Sequence, residues 1–415
     1  MKKPKRHFFS SIIFLIFLFS LSFIGCEQKA KADDNLPPTN SAAKNDSTEN
    51  TDKKRQPESY DPSKYSAVYD DMAKFFAGVP TDSTGSFAGL FNTNTWKAHA
   101  QRFSASWAGL ENKRLAPIRK WAETELADIS PDTKTLFYPF GGPDFLFAAT
   151  FFPNFENYVL IGLEPVGQLP DLNTLSPGVL SSYLTSMQGS LRTLVTGGFF
   201  KTRDMASDFL PGRVNGTVPV LLIFLAKTNH KVLDIEYIKM DGKGKLSYEK
   251  ADFGAAKQKT RYDGVMIKFT DKNAKIVKKL YFFSTNLAND GFPKKPEFQE
   301  FIRSLKPFAS MAKAASYLMH QPAFSGIRDF VVSEANYMVE EDSGIPIRYF
   351  KDSDWEKRFY GVYSAPIPLF ANHVQKDLQA AYRNKAEVRP LPFGLGYYWE
   401  PGRSNLLFAI RKNGK

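Results

Sequence analysis

The stretch KTNHKVLDIEYIKMDGKGKLSYEK at 227–250, continued by GVMIKFTDKNAKIVKKLYFF at 264–283, decides the fold class. Val232–Met240 places apolar side chains at alternating positions and runs into Asp241-Gly242-Lys243-Gly244. Val265–Thr270 runs into Asp271-Lys272-Asn273-Ala274 and resumes as Ile276–Phe283. Period-two patterning bounded by Asp, Asn and Gly is the signature of strands joined by tight turns. The whole of 227–283 therefore reads as an antiparallel meander.

Outward from the meander the pattern changes to helical spacing. Asp61-Pro62 opens a helix with Tyr65, Val68, Tyr69, Met72, Phe75 and Phe76 on one face, stopped by Gly78 and Pro80. Further helices are expected from Asn94, after Pro117, and from Ser176-Pro177 to Gly197-Gly198. Thr135–Tyr138, Phe145–Phe151 and Tyr158–Leu163 read as strands, and Val218–Ala226 as a short, fully buried one. Beyond Asp290-Gly291-Phe292-Pro293 the types alternate. Helices are expected at Pro296–Leu305, Ser310–His320, Ser325–Ala335 and Ala371–Tyr382. Strands are expected at Tyr337–Glu341, Ile345–Phe350, Arg358–Tyr363 and Leu406–Arg411. Helices and antiparallel sheets mixed without a regular βαβ rhythm make the class α+β. The 415 residues exceed what one core usually organises, so two lobes are expected, 65–290 and 291–415.

The N-terminus carries an address. Lys2, Lys3, Lys5 and Arg6 precede an apolar run from Phe8 to Ile24, as in a secretory leader. The run ends in Phe23-Ile24-Gly25-Cys26, which holds the only cysteine of the protein. This resembles the lipobox of bacterial lipoproteins, although Phe23 and Ile24 stand where that box has Leu and a small residue. The resemblance implies cleavage after residue 25, a diacylglycerol on the Cys26 sulfur and acylation of the new amine. A spanning helix and an ordinary leader cut elsewhere are the alternatives. Glu27, in place of the Asp that retains some lipoproteins at the inner membrane, points to the outer membrane. Phrases around Asp144, Glu164-Pro165 and Ser343-Gly344-Ile345-Pro346 also resemble bacterial envelope lipoproteins with no assigned activity. Residues 26–64 are nearly devoid of apolar side chains and are expected to be a disordered tether of roughly 30–35 Å.

The formal net charge is +12, and residues 227–279 hold 14 Lys and Arg against 7 Asp and Glu. The functional reading of this excess is attraction to an anionic envelope surface; the plainer one is lysines that protect sheet edges. An exported body excludes nucleic acid as partner. No Gly loop that cradles phosphate and no H-E-x-x-H is present, so neither cofactor nor metal is expected. Ser310-Met311-Ala312-Lys313 matches the S-x-x-K of penicillin-binding enzymes, without the companion motifs. Two acidic loops stand out. Asp144 lies among Tyr138, Phe140, Gly141, Gly142 and Phe145, in a setting suited to hydroxyl or amide recognition. Glu340 and Asp342, if extended, share one face about 6.5–7 Å apart, between the two glycosidase separations; a solvated turn is the plainer reading. Cys26 is thus the lipidation site, and Asp144, Glu340 and Asp342 are the catalytic candidates. The expected function is a non-catalytic envelope binding or scaffolding module. Its alternatives are a hydrolase of glycan or peptide and a receptor closing between two lobes near Asp290.

Overall fold

The computed structural model describes residues 58–81, 85–197, 216–251, 261–271, 275–384 and 387–412. Cys26, the leader and most of the tether lie outside them. Four helices come first: α1 (Val68–Ala77), α2 (Ala88–Phe91), α3 (Asn94–Leu110) and α4 (Ala116–Glu125). Then follow β1 (Thr135–Tyr138), α5 (Phe145–Phe151), β2 (Asn157–Gly162), α6 (Pro177–Gly197) and α7 (Val218–Lys227). The meander supplies β3 (Lys231–Met240), β4 (Leu246–Lys250), β5 (Gly264–Thr270) and β6 (Lys278–Ser284). After it come α8 (Pro296–Arg303), β7 (Phe308–Ala312), α9 (Ser325–Glu334), β8 (Tyr337–Glu340), β9 (Trp355–Gly361), α10 (Lys376–Arg383), β10 (Val388–Arg389) and β11 (Asn405–Arg411).

The eleven strands of the described residues form one sheet in the order β10-β9-β11-β8-β7-β1-β2-β6-β5-β3-β4. The fold is α+β. The stretch expected as a meander is antiparallel but not in sequence order, since β6 pairs with β5, β5 with β3 and β3 with β4. The centre of the sheet, however, is parallel: β8, β7, β1, β2 and β6 all run the same way. The reason is local. Residues 145–151, expected as a strand, form α5, because Asp144 accepts from the Phe147 amide and caps a helix buried on every side. A helix between β1 and β2 makes their connection a parallel crossover. Val218–Ala226 is likewise helical, entered through Thr217 and Pro219. Ser310–Ala312 lies in strand β7 rather than in a helix, and 347–349 form a short 3-10 turn instead of a strand.

The sheet buries both faces, and period-two alternation sorts its side chains. Leu136, Tyr138, Tyr158 and Leu160 join the core with α1, α3, α4, α5 and α7. Phe137, Val159 and Ile161 join the core with α8, α9 and α10. The expected boundary at Asp290 separates no sheets, since β7 from beyond it pairs with β1. Residues 56–415 form a single unit that contains every strand and both cores.

Candidate functional site

From β1 the chain passes through α5, on one face, to β2. From the neighbouring β7 it passes through α9, on the other face, to β8. The loops after β1 and β7 therefore diverge at their carboxyl ends, the topological switch point where open parallel sheets bind ligands. Among the described residues, four of the five non-glycine ones with left-handed φ lie in these two loops: Phe140 (60°), Ala314 (52°), Ser316 (53°) and Tyr317 (57°). Such backbone costs energy and persists only where neighbours over-determine it.

The neighbours are polar and buried. Asp144 Oδ2 receives the Tyr138 hydroxyl at 3.1 Å and lies 3.0 Å from Lys313 Nζ, with both charged side chains 2% exposed. The Lys313 ammonium also sits 3.9 Å from the centroid of the Phe147 ring. Burial pushes the Asp144 carboxyl above its ordinary value, while Lys313, the Phe147 amide and Tyr138 pull it down. Tyr138 is pushed up by burial and by the charges of Asp144 and Glu341.

The turn after β8 closes over the β7 loop. Glu341 Oε1 accepts from the Ala314 amide at 2.7 Å and from the Ser343 hydroxyl, which itself accepts from the Ala315 amide at 2.9 Å. Asp342 receives the Tyr317 hydroxyl at 2.5 Å and the Asn405 side-chain amide at 2.7 Å. Glu340 accepts from the Ile345 amide at 2.7 Å. Gly396, at φ +64°, leaves room for Glu341: a Cβ there would stand 2.6 Å from its carboxyl carbon. Burial pushes Glu340 well above the carboxylate range. Burial and the Asp342 charge push Glu341 up to about 8, and burial raises Asp342 against the bonds from Tyr317 and Asn405. A cavity of about 10 Å³ beside these acids, walled also by Gln375 and Asn405, holds about one water. A larger one, about 420 Å³, lies at the amino ends of β1 and β2 among Arg119, Leu126, Lys134, Phe151, Phe152 and Phe155.

The three acidic candidates are thus brought to one edge, but not as the sequence suggests. Glu340 ends β8, and the turn that follows is buried, not solvated. Glu341, passed over in the sequence, makes the bonds that hold the β7 loop. Tyr138 belongs to the Asp144 loop itself, whereas Lys313, Tyr317 and Asn405 reach the acids from distant segments, which hid their roles. Ser310 gives its hydroxyl to the Phe137 carbonyl at 2.8 Å, and Lys313 serves Asp144, so the S-x-x-K arrangement is absent. His320 and His373, isolated in sequence, have ring centroids 5.3 Å apart beside Tyr317. Among the described residues no group of three His, Cys, Asp or Glu is placed to hold a metal ion. The described lysines of 227–279 are spread over the stretch. Lys243 and Lys245 sit at the β3–β4 turn, Lys278 is buried at the opposite end of β6, and Lys239 and Lys268 pair with acids. No protein-family model, curated protein or solved structure matches this chain.

Proposed function

We propose that the chain is a cell-envelope module, held at the outer membrane by an acylated Cys26, whose body binds or scaffolds rather than catalyses. One observation carries the non-catalytic part. Asp144, Glu340, Glu341 and Asp342 are each buried with an internal donor, and the space beside the turn takes about one water. A hydrolytic carboxylate must reach both a scissile bond and a water, and a space for about one water leaves no room for a substrate beside the turn. The leader and the Phe23-Ile24-Gly25-Cys26 box support the anchor. Among the described residues no helix is long and apolar enough to cross a membrane.

A hydrolase of glycan or peptide is the second reading, favoured by the meeting of Asp144, Glu340 and Asp342 at the switch point and by the raised Glu341. Two measurements decide. Cells given labelled palmitate should label the wild type and leave Cys26→Ser unlabelled; an unlabelled wild type removes the anchor. Residues 56–415 screened against muropeptides, glycans and envelope lipids should show ligand-dependent thermal stabilisation without turnover. A ligand at 100 times its Kd adds about 2.7 kcal/mol. Product release that disappears in Asp144→Asn would instead establish the enzyme.

A further inference from the structure

The same edge carries a feature that the buried acids do not use. Residues 364–374 and 390–399 contain no Asp, Glu, Lys or Arg, in a chain that is 24% charged. The two stretches touch. The Tyr398 hydroxyl donates to the Pro366 carbonyl at 3.1 Å, and the Phe370 and Tyr397 rings lie 5.1 Å apart. Both reach the loop after β7, through Phe370 against Tyr317 and Tyr397 against Ser316.

Exposed apolar side chains gather here. Leu163 (70% exposed), Val362, Leu369 (62%), Val374 and Trp399 account for five of the seven large exposed hydrophobics among the described residues. Leu163 follows the last residue of β2 and Val362 the last residue of β9, and both strands run in the direction of β8. The remaining three belong to the two uncharged stretches. All five therefore stand where the parallel strands end. From β9 to β2 there are five strand spacings, so the row is about 24 Å long. Scattered exposed hydrophobics need no explanation, but a row confined to one edge does.

We propose that this edge is a bilayer-contact face, on which Leu163, Leu369, Val374 and Trp399 enter the boundary between headgroups and acyl chains. The two stretches hold no charge whose desolvation would oppose entry. Indole and phenol groups suit that boundary, apolar in body and polar at one end. A few side chains partition weakly on their own. The claim rests on the anchored reading in one respect: a tether from Cys26 keeps the membrane within reach and makes weak partitioning sufficient.

Trp96, Trp107, Trp121 and Trp355 are buried, so Trp399 is the exposed reporter among five tryptophans. Residues 56–415, which lack Cys26, are titrated with phosphatidylcholine vesicles, with and without phosphatidylglycerol. The emission should shift to the blue and be quenched by lipids brominated on the acyl chain. Both effects should persist in roughly 0.5 M salt, where surface charge is screened. Trp399→Phe should abolish the spectral change. Leu369→Glu with Val374→Glu should weaken flotation with vesicles about tenfold or more at unchanged Tm. Absence of any partitioning overturns the proposal, as does binding confined to anionic vesicles and lost in salt, which would assign the contact to lysines. A lipid-independent dimer that shields Trp399 overturns it in favour of a second copy. Palmitate labelling reads the anchor separately, so either claim can fail alone.

Discussion

Asp144 and the turn Glu340–Asp342 lie on one edge of one sheet, equally buried, yet their charges are managed differently. Asp144 has an ammonium 3.0 Å away, and Lys313 in turn leans on Phe147. The turn has three consecutive acids, and the donors that hold them are the backbone amides of Ala314 and Ile345, the hydroxyls of Ser343 and Tyr317 and the Asn405 side-chain amide. Burial makes an unpaired charge expensive, and there are two ways out: a counter-ion or a proton. The β1 loop uses the first, and the β8 turn uses the second. Burial raises the pKa of all four acids, but only at Asp144 does a neighbouring ammonium pull it back down.

The largest effect is expected where the counter-ion is removed. Lys313→Met leaves Asp144 buried opposite a thioether, and breaking a buried pair in this way costs about 3–5 kcal/mol. Denaturant unfolding should show that loss near neutral pH. Asp144→Asn with Lys313→Met should recover much of it, because an amide can still cap α5 and accept from Tyr138. If the double variant is as unstable as Lys313→Met alone, packing of the lysine stem rather than charge holds the loop.

A pH series is the next test, and it should separate the two regions. Glu341 is pushed up to about 8 when folded, against roughly 4.3 in an unfolded chain. The folded protein therefore binds the extra proton between these values. The stability that this proton brings is complete below about pH 4.3, declines as pH rises, and is gone above about 8. Glu341→Gln imitates the protonated acid and should flatten the decline, gaining on the order of 2–3 kcal/mol over wild type near pH 8. The same substitution at Asp144 should show no such gain, since Lys313 would lose its partner. A wild type whose stability rises from pH 5 to 8 would mean that the turn is ionised when folded.

How much of this was legible follows from what each segment shows to its neighbours. Strands β3, β5 and β6 are bounded by Asp, Asn and Gly turns, so the turn residues betray them although β5 and β6 are almost wholly buried. Segments 145–151 and 218–227 are buried on nearly all sides, and a helix without a polar face has no stripe to read. Their starts were nevertheless written in Asp144 with Phe147 at the third position, and in Thr217 with Pro219. Met311-Ala312-Lys313-Ala314-Ala315 favours a helix by propensity, and β7 forms there because β1 and β8 flank it. Asp144, Glu340 and Asp342 were legible as acids among glycines and aromatics. Glu341 was lost because strand alternation placed it on the far face, whereas the turn brings it inward. Lys313 was marked only as part of S-x-x-K and Asn405 not at all, since each meets its acid only through the order of the sheet.

The smallest effect divides the two regions most finely. Tyr138 and Tyr317 each donate one buried hydroxyl to an acid, Asp144 and Asp342 respectively. Removing a donor from a buried carboxyl costs about 1–2 kcal/mol. For Tyr138→Phe the cost should change less from pH 5 to 8, because the Lys313 ammonium, 3.0 Å from Asp144, offsets the carboxylate charge. For Tyr317→Phe it should grow with pH: the hydroxyl is a bond the acidic turn needs more as it gives up its proton. Unfolding curves at both ends of that range measure the difference directly. Equal pH profiles for the two variants would show that proton and counter-ion are not the distinction between the loops, and that one shared titration governs the whole edge.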